Sequence, residues 1–471
     1  MIFRAHYLAC LSHASYLIGD EESRVAAIVD PQRDVADYLA EAKALGLTIR
    51  HVILTHFHAD FVSGHLELAK ATGASIHVGA RGKTDYPSVA ARDGLELVLG
   101  ARTKLRFLET PGHTPESICV LVFDRAQSET EPHAVLTGDT LFLGDVGRPD
   151  LMASVGVSEQ ELASWLYDSL HAKLLTLPDA TIVYPAHGAG SLCGKSLSAE
   201  TSSPLGVQRR TNYALAPMSK LEFVRLVTTD QPEAPAYFGY DADLNRRARP
   251  TLESALASAA RPLTLDQALA HAKGGAVLLD VRPAAEFASG HLAGSINVGL
   301  GGRFAQWAGS VIDPRTPIVV VASPGREQET ALRLGRVGFD RVEGFVADLA
   351  GAMRARPEVV RRMDKTSAVD LVRIEDAGKP PSSMPFVIDV RAPGEFAAGH
   401  MPGAQSIPLP RLRARLAEVP RDRAVLVHCQ SGYRSSIAAS LLAREGFTNV
   451  SDLVGGWAAY EAARTPAFPE P

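Results

Sequence analysis

Short apolar runs of strand length alternate with stretches of helical period along the whole chain, the pattern of an α/β protein. Residues 1–7 read as a first strand. Val25-Ala26-Ala27-Ile28-Val29 reads as another, closing at the turn Asp30-Pro31. Residues 35–45 have helical period and stop at Gly46. His51-Val52-Ile53-Leu54 fits a buried strand, and a helix follows over residues 64–72. Further strands fit residues 75–78, 104–109, 117–123, 134–137 and 180–184. In the second half, strands at 276–279, 318–321, 386–388 and 425–427 alternate with helical segments, which predicts parallel sheets.

At 471 residues the chain exceeds one ordinary core, so two to four domains are expected. It is 46% hydrophobic and 21% charged, which excludes a disordered chain. A net charge of −5 without a basic block argues against a nucleic-acid partner. No apolar run approaches the roughly 20 residues of a membrane span, and the N-terminus lacks a signal-peptide pattern. The expected location is cytoplasmic. Of the four cysteines, Cys10, Cys119, Cys193 and Cys429, none forms a CxxC pair. Chemistry would therefore rest on single thiols in a reducing compartment. Cys119, within an apolar strand, reads as an inert core residue, and Cys10 likewise.

Chemistry first appears in Thr55-His56-Phe57-His58-Ala59-Asp60-Phe61-Val62-Ser63-Gly64-His65, directly after a buried strand. Alternation sends His56, His58 and Asp60 toward one side, and imidazole and carboxylate are ligands for Zn and non-haem Fe. Three later strand ends carry more donors: His113 in Pro111-Gly112-His113-Thr114, Asp139 in Gly138-Asp139-Thr140, and His187 in Pro185-Ala186-His187-Gly188. They converge only if the strands end on one edge.

In order and spacing, these segments resemble the metal motifs of the metallo-β-lactamase fold. The resemblance covers about residues 1–240 and implies a four-layer αββα sandwich with metal at one edge. The dinuclear hydrolases of that fold carry HxHxDH, but here Phe61 stands where the last histidine would be. A second metal thus loses a ligand, which argues against two-metal hydrolases such as glyoxalase II. His56, His113 and Asp139 remain as a two-histidine, one-carboxylate set, the arrangement of non-haem Fe(II) oxygenases. Persulfide dioxygenases of this fold are similar. That resemblance implies one Fe(II) per chain, with His58, Asp60 and His187 as supporting groups or a vacant second site. It also implies Arg148 as the partner of a thiol carrier's carboxylate and Tyr184 as a neighbour of the same substrate. After His187, the glycine-rich loop Gly188-Ala189-Gly190-Ser191-Leu192-Cys193-Gly194-Lys195 adjoins the metal edge. Cys193 is expected near the metal, handling substrate sulfur, with Lys195 favouring its thiolate.

The second half is a repeat. Asp280-Val281-Arg282-Pro283-Ala284-Ala285-Glu286-Phe287 recurs as Asp389-Val390-Arg391-Ala392-Pro393-Gly394-Glu395-Phe396, 109 residues on, and each copy continues to a Gly-His pair. This signature resembles rhodanese, a sulfurtransferase. In the second copy a strand runs into His428-Cys429-Gln430-Ser431-Gly432-Tyr433-Arg434. The loop would open a helix whose backbone N–H groups, with Arg434, surround a thiolate or persulfide on Cys429. Gln430, Ser431, Gly432 and Tyr433 would line that site. A cysteine phosphatase would use a similar cradle; the short loop and the repeat signature favour sulfur. The first copy has Ala322-Ser323-Pro324-Gly325-Arg326 there, with Ser323 placed opposite Cys429 and a loop two residues shorter. It is expected to be catalytically silent.

The domains expected are therefore residues 1–245, a metallo-β-lactamase-like domain; 263–356, a silent rhodanese-like domain; and 366–471, an active one. Residues 198–211 read as a long loop of the metal domain, 241–262 and 356–363 as links, 379–385 as a loop, and 465–471 as a proline-rich tail. The resemblance implies oxidation of a small thiol persulfide (glutathione, coenzyme A or similar) by O₂ to sulfite and thiol. It further implies sulfur transfer through Cys429 with thiosulfate made or consumed, in sulfide detoxification, and a homo-oligomer. Two other readings stay open: a two-zinc thioesterase of glyoxalase II type, and a non-catalytic sulfur relay or sensor.

Overall fold

The computed structural model describes residues 1–151, 156–195, 197–229, 231, 233–377 and 384–465. Most of the expected 379–385 loop and 465–471 tail lie outside the described residues. The chain divides into two compact units: Met1–Leu252 with Gly335–Gly338, and Glu253–Leu334 with Phe339–Pro471.

The first unit holds two six-stranded sheets. One runs in sequence order from Ile2–Leu8 through His13–Gly19, Val25–Val29, Thr48–Ile53 and Ser75–Gly79 to Val89–Ala91. The other orders Ser203–Pro204, Ile182–Pro185, Ala134–Gly138, Ile118–Asp124, Thr103–Glu109 and Glu96–Val98. Alternation along one strand shows how the layers arise. Ile118, Val120 and Val122 face Tyr16, Ile18, Val29 and Ile53 of the other sheet. Cys119, Leu121 and Phe123 face the opposite way, onto Leu166, Leu170 and Phe223 of the helices Glu159–Ala172 and Lys220–Thr228. Behind the first sheet, Leu17, Ile28 and Val52 pack on Tyr38 and Leu68 from the helices Ala36–Ala44 and His65–Thr72. This is the αββα sandwich. Cys119 lies in its outer apolar layer, where burial pushes its thiol up to about 11.

Three boundaries differ from the sequence reading. Leu205–Thr211, expected as loop, is a helix, and Ser203–Pro204 before it is an edge strand. The 241–262 link instead contains the helices Phe238–Arg246 and Leu252–Ala259. Asn245, on the first of these, is buried and bonds to the 58–63 loop. The helix Glu159–Ala172, not anticipated, starts at a capping box formed by Ser158 and Glu161.

The second unit contains two five-stranded parallel sheets of identical order. One is Pro262–Leu263, Val342–Val346, Ile318–Val321, Val277–Asp280 and Ile296–Asn297; the other is Asp364–Thr366, Val450–Leu453, Val425–His428, Phe386–Asp389 and Gln405–Ser406. Register corrects one sequence alignment. Asp280 pairs with Val321 and Asp389 with His428, so Val321 and His428, 107 apart, are equivalent. Ala322, not Ser323, therefore stands at the position of Cys429. The later Gly338-Phe339 and Gly446-Phe447 pairs are 108 apart, which makes the first loop one residue shorter rather than two. No helix of the described residues is long and apolar enough to cross a membrane.

Candidate metal and sulfur centres

The strand Thr48–Ile53 delivers His56 and His58 to its C-terminal edge, where the loops bearing His113, Asp139 and His187 also end. Gly138 lets two of these loops meet. Its φ is +52°, and a Cβ there would lie 2.5 Å from Thr55 Oγ1. One ligand atom each from His56, His113 and Asp139 lies within 4.8 Å of the others, all three residues buried. Both imidazole Nε2 atoms face Asp139 Oδ2, at 3.7 Å from His56 and 3.5 Å from His113. That carboxylate oxygen has no hydrogen-bond partner.

The other ring nitrogens are fixed from behind. His113 Nδ1 donates to the Arg148 carbonyl at 2.8 Å, and His56 Nδ1 lies 3.0 Å from Thr55 Oγ1. The Thr55 hydroxyl in turn donates to Asp30 at 2.8 Å. Such partners orient ligand imidazoles with Nε2 forward. Burial pushes His56 and His113 below the ordinary imidazole value. Burial would raise Asp139, but His187 and His56 hold it well below the usual carboxylate range. Neutral imidazoles beside an ionised carboxylate are the protonation states a cation requires. An unpartnered buried carboxylate oxygen at their focus fits a bound metal.

A second cluster lies beside the first. His58, Asp60 and His187 also offer ligand atoms within 4.8 Å of one another, and His58 Nε2, Asp60 Oδ1 and His187 Nε2 likewise have no hydrogen-bond partner. His187 Nδ1 donates to Asp139 Oδ1 at 2.7 Å, and its Nε2 lies 3.0 Å from Asp60 Oδ2. His58 Nε2 lies 3.0 Å from Asp30 Oδ1. Burial opposes a charge on His187, but Asp139 and Asp60 outweigh it and raise its pKa. Phe61 occupies the flank as an apolar wall, 1% exposed, its ring centred 4.4 Å from that of His58 and 4.1 Å from that of His13.

His13, Asp30 and Asn245 escaped the sequence reading. His13 lies at the start of a strand, buried and 5.6 Å from both the His58 and His187 rings. Asn245 donates to the carbonyls of His58 and Phe61, both at 2.8 Å, and so fixes the histidine loop. No local motif marks either residue.

Cys193 meets Asp139 and His187 within the same 4.8 Å limit. Burial, then Asp60 and Asp139, push its thiol well above the ordinary value. Lys195 does not act as its cation: its Nζ donates to the carbonyls of Leu226 and Thr229. Arg148 is buried and bidentate to Asp150, both bonds 2.7 Å, with a third to the Leu192 carbonyl at 3.0 Å. Tyr184 packs among aromatic rings, 4.7 Å from Phe3 and 5.7 Å from Tyr16.

In the second unit, Cys429 is 1% exposed and its Sγ accepts from the Gly432 N–H at 3.2 Å. The helix Tyr433–Arg444 starts immediately after. Arg434 forms a fork to Glu395, 2.6 and 2.7 Å, and Arg391 Nη1 donates to Gln430 at 3.3 Å. Closing the loop from above, Trp457 N–H donates to the Cys429 carbonyl at 2.7 Å, and Ala458 N–H to Gln430. Gly456 permits this approach: its φ is +59°, and a Cβ would lie 2.3 Å from that carbonyl oxygen. A cavity of about 700 Å³ adjoins Ser431, Gly432 and Tyr433.

Comparison with known proteins agrees with both halves. The metallo-beta-lactamase superfamily profile matches residues 8–187, and the rhodanese-like domain profile matches 264–355 and 368–463. A metallo-beta-lactamase from Staphylococcus aureus subsp. aureus COL superimposes with a TM-score of 0.65 at 30% identity, over 73% of this chain and 98% of that one. The chain thus belongs to the metallo-β-lactamase superfamily. Within it, the chain is a homologue of persulfide dioxygenase ETHE1, followed by two rhodanese-like domains. The human mitochondrial ETHE1 is 33% identical over 50% of this chain and 83% of its own length. Hydroxyacylglutathione hydrolase of Rhodospirillum rubrum is 30% identical over 51% and 84%.

Proposed function

We propose that the protein oxidises a small thiol persulfide and couples this to sulfur transfer through Cys429. Persulfide, O₂ and water would give thiol, sulfite and two protons. Sulfite and a second persulfide would give thiosulfate and thiol, the sulfur passing through a Cys429 persulfide. Thiosulfate release is the direction favoured over consumption, in keeping with sulfide detoxification.

One observation carries the reading: the His56, His113 and Asp139 set is complete, whereas the neighbouring cluster meets the wall of Phe61. A single ferrous ion on that set would supply activation of dioxygen, which no side chain can. His113 and His56 are held Nε2-forward by Arg148 O and Thr55, and Asp30 anchors the loop. Phe61 excludes water from the flank where a second cation would sit. Cys193, beside Asp139 and His187, would meet the substrate sulfur. Arg148 would face the carrier's carboxylate by sharing its fork with Asp150, and Tyr184 would flank the carrier. Glutathione and coenzyme A persulfides both suit these roles. Keeping both activities on one chain raises the effective concentration of sulfite for Cys429. A homo-oligomer in the cytoplasm is the expected state.

The rival reading, a two-zinc thioesterase, rests on the proximity of His58, Asp60 and His187 and on the hydroxyacylglutathione hydrolase relatives. Metal content separates the two. Oxygen uptake with a persulfide in the iron-loaded protein supports the first, and thioester hydrolysis with two Zn per chain supports the second. Cys193→Ser with unchanged kinetics and labelling would remove Cys193 from the scheme.

A further inference from the structure

The first repeat lacks the thiol yet is bonded along the full length of the helix that cradles Cys429. Asn297, 1% exposed, ends the edge strand Ile296–Asn297. Its side-chain amide donates to the carbonyls of Asp280 (3.0 Å) and Arg282 (2.9 Å). Its Oδ1 accepts from Ser436 Oγ at 2.7 Å, and its backbone N–H donates to Ser440 Oγ at 2.9 Å. Ser436 and Ser440 lie one turn apart on the helix Tyr433–Arg444 and are buried. At the helix start, Tyr433 Oη donates to the Gly299 carbonyl at 2.6 Å; at its end, Arg444 donates to the Gly294 carbonyl at 2.6 Å. Residues 294–299 of the silent repeat therefore grip this helix at both ends and in the middle.

The fold itself does not demand the asparagine. Asp280 pairs with Asn297 as Asp389 pairs with Ser406, so the second repeat places serine at the same position. What differs is the neighbour: Asn297 meets the cradle helix. A shift of that helix displaces the Gly432 N–H, which donates to Cys429 Sγ, because Gly432 is its N-cap. A fully satisfied buried amide network resists such a shift.

We propose that Asn297 is a positioning residue for Cys429, acting through Ser436, and that the silent repeat is retained to hold the persulfide cradle in register. The proposal rests on reading Cys429 as the sulfur carrier. Its test uses the full-length protein with Asn297→Ser, Ser436→Ala and the double variant. Readouts are the alkylation rate of Cys429 at fixed pH, located by mass spectrometry, and kcat and KM for sulfur transfer from thiosulfate to cyanide. Each single change is expected to lower both the alkylation rate and kcat by about threefold to tenfold, the scale of one buried hydrogen bond. KM should stay unchanged. The double variant should be no worse than Asn297→Ser alone, because the Ser436 side chain reaches the first repeat through Asn297 Oδ1. Unchanged alkylation and kcat in both single variants, or losses that multiply in the double, would overturn the proposal. Should the wild type transfer no sulfur, the functional reading fails, while the alkylation rates still decide whether Asn297 positions the cradle.

Discussion

The two repeats share strand order and the DVR signature but differ around the Cys429 loop in three ways that bear on sulfur binding. Cys429 in one is Ala322 in the other. Gly456 lets the last helix approach the Cys429 carbonyl; counted from the paired ends Val346 and Leu453, the first repeat has Leu349 there, whose side chain forbids that approach. Arg434 reaches across to Glu395, whereas Arg326 pairs with Glu329 on its own helix. A sulfur site is thus the sum of a thiol, a closed loop and a correctly aimed cation. Restoring one member alone is therefore expected not to recreate it.

The largest effect is expected from Cys429→Ser. Sulfur transfer should fall by roughly a thousandfold or more, the scale of removing a covalent nucleophile, and Ala322→Cys in that background should not restore it. Recovery of cyanolysis in the double variant would erase the distinction between the repeats. Next comes Gly456→Ala. Left-handed backbone with a Cβ costs about 1–2 kcal/mol, and the added atom collides with the Cys429 carbonyl. Transfer is expected to drop by about tenfold or more on that scale, while Leu349→Gly in the first repeat should leave it unaltered; steady-state rates decide.

The smallest effect is expected at Glu395. Burial would raise its carboxyl, but the Arg434 fork outweighs it and holds the value below the ordinary 4.5. A depressed carboxylate contributes fully above pH 4.5 and loses that contribution as the pH falls through its folded value. Glu395→Gln should lower kcat about threefold, as expected for a half-exposed pair, and flatten the acid limb of the rate profile. A rate profile identical to wild type would show that the fork does not aim Arg434.

Much of this was legible in the chain. His56, His113 and Asp139 sit in tight loops directly after apolar strands, so local sequence marks both the donor and its place. The repeat signature gave the second unit in the same way. What escaped depends on tertiary packing. His13 and Asn245 carry no local pattern, and Asn245 lies in a segment read as a link although its amide fixes the 58–61 loop. Leu205–Thr211 was obscured by the Ser/Thr/Pro-rich stretch ahead of it. Counting along two loops of unequal length placed Ser323 opposite Cys429; only strand register reveals Ala322. Proximity in sequence also misled at Lys195, whose long side chain turns to the carbonyls of Leu226 and Thr229 and away from Cys193.

The most direct measurement of the central claim is metal content with O₂ uptake and product sulfur speciation, on wild type and Cys429→Ser given a thiol persulfide. The expected result is about one Fe per chain, as a two-histidine, one-carboxylate set holds, with O₂ consumed by both proteins. Thiosulfate should be the wild-type product and sulfite should accumulate in the variant. Two zinc ions per chain with thioester hydrolysis and no O₂ uptake would contradict the account.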